Sequence, residues 1–426
     1  MIKSNIVGWI VLGLMFGLSS VQAQDDEFSF DLSEFSKSPW SVEGYLQGNL
    51  DYLALNPDSP FYRLAYLNRE DETERYLGGV EMQLGGSYQW GALTAVGLGK
   101  VEVAHDDLDW RSKALLYEGN LAWQMNSNAY LTVGKVLPRW GKGYAWNPTN
   151  FVGRPKNPSD PDLSLEGYWV GQFEVVKSFG GALKNAAFTA IALPVSADLN
   201  DTFGPTDHLN AAAKLYLLLY DTDIDLMVLS AGSQSQRYGL TLSRNVTPNF
   251  EMHGEMARFR DYRRVVLDAG GGVVAVTDDA MSYLAGIRYL SATNTTYIFE
   301  YYHNGQGYTE VEAADMYHSL ESMSDSDLAG VARSLTGYQV PNFMTNYLYL
   351  KASQKEPFGW LYLTPSLYSI TNIDDGSYNL IPEVVYTGIE NLELRARVSL
   401  LYGGAGTEYG EKSSDWKLEL RARYYF

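Results

Sequence analysis

Two groups of cations stand out in a chain whose formal net charge is −19. The first lies in one stretch, Pro-Arg-Trp-Gly-Lys-Gly-Tyr-Ala-Trp-Asn-Pro from Pro138 and Gly-Arg-Pro-Lys-Asn-Pro-Ser-Asp-Pro from Gly153, which carries Arg139, Lys142, Arg154 and Lys156. The second is a pair of doublets, Arg395 with Arg397 and Arg421 with Arg423. Spacing of two on an extended strand places both side chains of a doublet on one face. A row of guanidinium groups is a path for anionic solutes, because its forked donors match carboxylate and phosphate. Arg288 falls on the same polar alternation, as do Glu383, Glu393 and Glu419. The plainer alternative is that the arginines only pair with Glu393 and Glu419 along a wall.

Other chemistries find little support. The chain has no cysteine, so thiolate metal sites, disulfides and cysteine nucleophiles are excluded. No Gly-x-Ser-x-Gly elbow and no His-x-x-x-His pair occurs, so neither a serine hydrolase nor a helical zinc site is indicated. His253 shares a strand face with Glu251 and Glu255, and a polar row explains it more simply than a metal site. The acidic balance argues against nucleic acid as a partner. No cofactor and no enzyme activity are expected.

The elements that must carry these residues alternate at period two. At the end of the chain Trp416, Leu418, Leu420, Ala422, Tyr424 and Phe426 form one face, and Lys417, Glu419, Arg421 and Arg423 the other. Leu392, Leu394, Ala396, Val398 and Leu400 alternate with Glu393, Arg395, Arg397 and Ser399. A soluble sandwich also alternates. Here, however, the last strand ends on Phe426. It resembles the C-terminal signature of bacterial outer-membrane proteins, with Trp416, Leu418, Leu420, Tyr424 and Phe426 as the assembly signal. That resemblance implies an all-β transmembrane antiparallel barrel, with outer-membrane lipid and the barrel-assembly machinery as partners.

The connections fit that expectation. Short turns near Gly91, Asn126–Asn128, Gly180–Asn185, Asp221–Asp223, Thr247–Asn249, Ala292–Asn294, Glu356–Pro357 and Glu390–Asn391 alternate with longer loops. The loops fall near 55–75, 104–112, 138–166, 194–208, 231–236, 262–280, 304–340, 372–377 and 403–413. The count is about 18 strands, with 16 as the alternative because 92–104, 185–194 and 341–354 alternate poorly. Aromatic residues gather on the apolar face near both ends, Trp90, Trp123, Tyr289 and Phe426 by short turns, and Tyr52, Tyr76, Tyr378, Tyr402 and Trp416 by long loops. Two such girdles belong to a bilayer.

The chain opens with Lys3, an apolar stretch from Ile6 to Leu18 and a small-residue site ending at Ala23. This reads as a cleaved signal peptide over 1–23. Residues 24–39 read as a flexible periplasmic arm, or else a docking segment for a periplasmic partner, and 40–426 as the barrel. The 138–166 loop is the third outside loop, and it resembles the inward-folded constriction loop of general porins. The resemblance implies a porin-like channel for small hydrophilic solutes. The basic rows loosely resemble the ladder of porins that admit carboxylates. The rival readings are a scaffold barrel around a partner protein and, with less support, an outer-membrane enzyme.

Overall fold

The computed structural model describes residues 38–67, 72–105, 109–161, 163, 165–205, 207–268, 270–335 and 340–426. The 1–23 signal peptide and all but the end of the 24–39 arm lie outside the described residues.

Residues 40–426 form one sheet of 18 antiparallel strands closed on itself. The first six are β1 (Trp40–Leu55), β2 (Glu74–Trp90), β3 (Leu93–His105), β4 (Trp110–Gln124), β5 (Ala129–Val136) and β6 (Tyr168–Ser178). The next six are β7 (Leu183–Val195), β8 (His208–Leu219), β9 (Thr222–Leu229), β10 (Arg237–Thr247), β11 (Phe250–Leu267) and β12 (Val273–Leu290). The last six are β13 (Thr295–His303), β14 (Asn346–Gln354), β15 (Leu363–Asn372), β16 (Tyr378–Ile389), β17 (Leu392–Tyr402) and β18 (Ser414–Tyr425). Each strand pairs with the next, and β18 pairs back on β1 with Leu420 opposite Leu50. The Phe426 amide donates to the Gly44 carbonyl at 3.0 Å and completes the seam. Closure leaves no unpaired edge, which is the condition for a sheet in lipid.

The period-two pattern explains which way each strand faces. Along β1, Val42 and Leu50 are exposed, 60% and 65%, while Tyr45 and Gln47 are buried. Exposed apolar residues continue around the ring, with Val80, Leu121, Val133, Phe188, Leu226, Met256, Leu367 and Val384 among them. Water would not tolerate a band of this size, whereas hydrocarbon covers it at no cost. The girdle aromatics meet across strands: Tyr52 lies 4.9 Å from Trp416 and 5.2 Å from Tyr76, and Tyr378 stacks on Tyr402 at 4.9 Å. At the short-turn end Tyr289 stacks on Tyr297 at 6.5 Å.

Three connections differ from expectation. The 262–280 loop shrinks to 268–272, because Tyr262 to Leu267 pair with Asp278 to Val273 beyond a bulge at Phe259. Its charged residues read as loop, yet a hairpin standing in water satisfies its backbone and leaves those side chains solvated. The 104–112 loop likewise narrows to the residues between His105 and Trp110. Conversely, the turn at Glu356–Pro357 widens to 355–362, with Phe358 and Trp360 exposed.

Three helices sit on the loop end: α1 (Pro60–Ala65), α2 (Glu310–Ser322) and α3 (Asp325–Val331). Thr309 and Glu312 form a capping box at the start of α2. Its C-terminal carbonyls, which have no partner inside the helix, accept from Arg63, at 2.9 Å for Leu320 and 2.9 Å for Met323. Phe61, Met316, Tyr317, Leu320, Leu328 and Phe343 bury one another beneath these helices.

Candidate functional site: a loop tethered to three sectors of the wall

The segment between β5 and β6, residues 137–167, is the longest connection without helix or strand among the described residues. It does not lie on the surface. Trp140, Ala145, Trp146, Phe151 and Val152 are all buried. It is rooted at β5 and bonds to mid-strand residues of β11 and β17, each six strands from the next in the ring of 18. A segment with anchors spaced at thirds of the circumference runs through the interior.

The β11 anchor is acidic. Glu255 accepts from the backbone amides of Lys142 at 2.5 Å, Gly143 at 2.7 Å and Thr149 at 3.2 Å. It also accepts from the Thr149 hydroxyl at 2.7 Å and the Asn147 amide at 3.0 Å. On β13, two strands along, Glu300 accepts from the amides of Tyr144 at 2.5 Å and Ala145 at 2.8 Å. Both carboxylates are almost fully buried, so these bonds compensate their desolvation. His253 sits between them with Nε2 2.8 Å from Glu300. Glu255 and Glu300 are thus taken up by loop amides, and Glu251 by the Tyr144 hydroxyl. Tyr144 donates to Glu251 at 3.0 Å; burial, then the Glu251 charge, pushes its phenol up to about 12.

The β17–β18 anchor is basic and, among the described residues, meets the loop carboxylate of Asp160. Its carboxylate lies 3.4 Å from Arg397, 3.2 Å from Arg421 and 3.6 Å from Arg395. Burial alone would raise its pKa, but the three guanidinium groups outweigh that and hold it below the usual 3.8. Arg397 also binds Glu383 at 2.5 Å and approaches Glu419 at 3.9 Å. Arg395 reaches Glu383 at 3.7 Å and Glu393 at 3.5 Å. Arg423 departs from the group: it donates to Gln47 at 2.6 Å and lies 4.1 Å over the Tyr45 ring. Glu419 accepts from Lys417 at 3.0 Å.

The loop cations are mostly internal fasteners. Arg154 bonds Glu166 at 3.0 Å and covers Tyr168 at 4.9 Å. Lys156 donates to the Gly143 carbonyl at 2.7 Å. Lys142 faces Asp225 on β9 at 3.4 Å. Arg139 is exposed, with no ion pair among the described residues. Arg288 is 45% exposed at its side chain and approaches Glu251 at 3.8 Å. So the structure brings Arg395, Arg397, Arg421, Glu383, Glu393 and Glu419 together and leaves Arg139, Arg154, Lys156 and Arg288 elsewhere. Asp160 and the anchoring role of Glu255 were missed. The only hint was an acid set between prolines, Pro158 and Pro161, whose partner Arg397 lies 237 residues away.

No family model and no curated protein matches the sequence. Solved structures do. OccK5 (OpdH) of Pseudomonas aeruginosa superposes with a TM-score of 0.51 at 17% identity, covering 90% of this chain and 98% of that one. OccK11 (OpdR) of the same organism gives 0.50 at 14%, covering 90% and 96%. With the closed 18-strand ring and its aromatic girdles, this chain has the fold of an outer-membrane, porin-type β-barrel.

Proposed function

We propose that the protein is a passive outer-membrane channel for small hydrophilic solutes, narrowed by the 137–167 loop. The observation that carries this is the three-point tether: a long loop held inside a wide barrel by buried carboxylates at β11 and β13 and by Asp160 at β17–β18. A barrel of this size leaves room for water unless something fills it. The loop fills the side next to β6–β12, where it packs on apolar wall residues. The remaining passage runs along the polar wall of β1–β3 and β16–β18, past Tyr45, Glu81, Lys100, Arg395, Arg421 and Arg423, which line one small cavity with Asp160. Acids interleave with these bases, so the selectivity is mild. Trp416, Leu418, Leu420, Tyr424 and Phe426, on the outward seam strand, are the surface offered to the assembly machinery. No reaction chemistry is assigned to the site.

The test is single-channel recording of the refolded barrel in a planar bilayer under a salt gradient. Stable open steps with a small reversal potential are expected. A barrel that inserts and remains silent contradicts the channel reading and favours a barrel filled by a partner.

A further inference from the structure

A second site lies on the other side of the loop. At the loop end, a cavity of ~300 Å³ opens between residues 146–156 of the tethered loop, Thr202–Phe203, and the ends of β6, β10, β11 and β13. Its lining contains two cations, Arg237 and Lys156, and no Asp or Glu, in a chain of net charge −19. Lys156 is engaged by the Gly143 carbonyl. Arg237 is different. It donates to the Gln234 side chain at 2.5 Å and rests on the Phe259 and Phe151 rings, at 5.2 and 6.0 Å. It has no carboxylate within ion-pair distance among the described residues, whereas Arg154, Arg264 and Arg397 each have one.

Two donors of the lining residues, Arg237 Nε and the Trp146 indole N–H, are shielded from solvent and have no acceptor. A partly buried guanidinium without a counter-charge is costly to maintain. A guanidinium without a counter-charge in the lining of a cleft is the complement of an oxyanion. The rings of Phe203, Phe259 and Tyr302 form part of the remaining lining beside the polar side chains of Asn147, Asn150, Thr202, Gln234 and Gln306, and Tyr302 is stacked on Trp146 at 5.2 Å. Aromatic rings among neutral polar groups, beside one fixed positive fork, suit a ligand with a planar body and a single charged end.

We propose that this cavity binds a small aromatic oxyanion, its charged group on Arg237 and its ring against the aromatic side chains. The site would hold its ligand at the outer mouth, ahead of the constriction, and it stands whether or not the barrel conducts.

The test is isothermal titration calorimetry of the whole detergent-solubilised protein with 4-toluenesulfonate. Inorganic sulfate supplies the charge without the ring, and benzyl alcohol the ring without the charge. Saturable binding of toluenesulfonate is expected, weakened about tenfold or more in Arg237→Gln, with Arg237→Lys in between because it keeps the charge and loses the fork. Sulfate and benzyl alcohol are each expected to bind at least about tenfold more weakly. Unchanged affinity in both Arg237 variants, or no saturable binding by the native chain, overturns the site. Sulfate binding as tightly as toluenesulfonate overturns the aromatic ligand. Conductance is not read, so a failure here is separable from failure of the channel assignment.

Discussion

The two halves of the barrel wall differ on the inside. Along β6–β12 the inner face carries an apolar patch beside its acids: Val170, Ile191, Leu193, Met227, Leu229, Ala257 and Phe259 are buried in one cluster with Trp140, Phe151 and Val152 of the loop. Along β16–β18 and β1–β3 it is charged, with Glu383, Arg395, Arg397, Arg421, Glu81 and Lys100 beside the neutral Gln47. The first half holds the loop by area and by many backbone bonds. The second holds it through the Asp160 carboxylate. The comparison teaches where the interior is built to be filled and where it is built to stay wet. The loop is fixed on its apolar side, and its reach toward the arginines sets the width left over.

The largest break of this asymmetry is Glu255→Ala. It strips the acceptor from three backbone amides and two side chains, three of these five bonds buried and two half-buried. A loss of about 3–5 kcal/mol in loop anchoring is expected, since each orphaned buried donor costs about 1–3 kcal/mol and not all become orphaned. Hydrogen exchange at residues 142–149 is expected to quicken by orders of magnitude. Unchanged protection there would show that the apolar face alone suffices.

Next in size is Asp160→Asn. It leaves Arg395, Arg397 and Arg421 short of one negative charge. The zero-current potential is expected to move toward anions by about 10 mV or more, because one lumen charge changes in a narrow low-dielectric section. Neutralising Arg395, Arg397, Arg421 and Arg423 together is expected to move it the opposite way. An unchanged potential in either case would remove these residues from the passage.

The pH dependence sharpens the same point. The Asp160 pKa is lowered in the folded protein, so its contribution is fully present above the ordinary value of 3.8 and is lost only as pH falls below that. Loop-dependent selectivity should therefore hold from neutral pH to about pH 4 and change below it. A transition centred well above pH 4 would mean that another group controls it. The smallest effect is expected from Arg139→Gln. This cation is exposed, with no ion pair among the described residues, so the reversal potential should stay where it is.

The strand count, the alternation of short turns and long loops and the aromatic girdles were legible in the sequence, because each is a local pattern. The poorly alternating strands have a physical reason. On β7, Ile191, Leu193 and Val195 point inward yet are apolar, since a loop from elsewhere covers them. On β14, Tyr347 and Tyr349 are buried in the cluster of the loop-end helices in the same way. A strand covered on both faces loses its period, and nothing in its own residues says by what. The arginine rows were legible as one-sided. That Asp160 would meet them was not, because tertiary pairing at that separation leaves no local trace. Of the basic residues grouped by sequence at 139–156, Lys142, Arg154 and Lys156 have separate partners, and Arg139 has no ion pair among the described residues.

The most direct test of the central claim uses the absence of cysteine. Single cysteines at Arg421→Cys, on the charged wall, and Leu193→Cys, beneath the loop, are treated with a charged, water-soluble methanethiosulfonate during bilayer recording. The account predicts rapid modification and a stepwise change in current for Arg421→Cys, and no change for Leu193→Cys. Modification of Leu193→Cys with Arg421→Cys inert would place the passage on the wrong side of the loop and contradict the account.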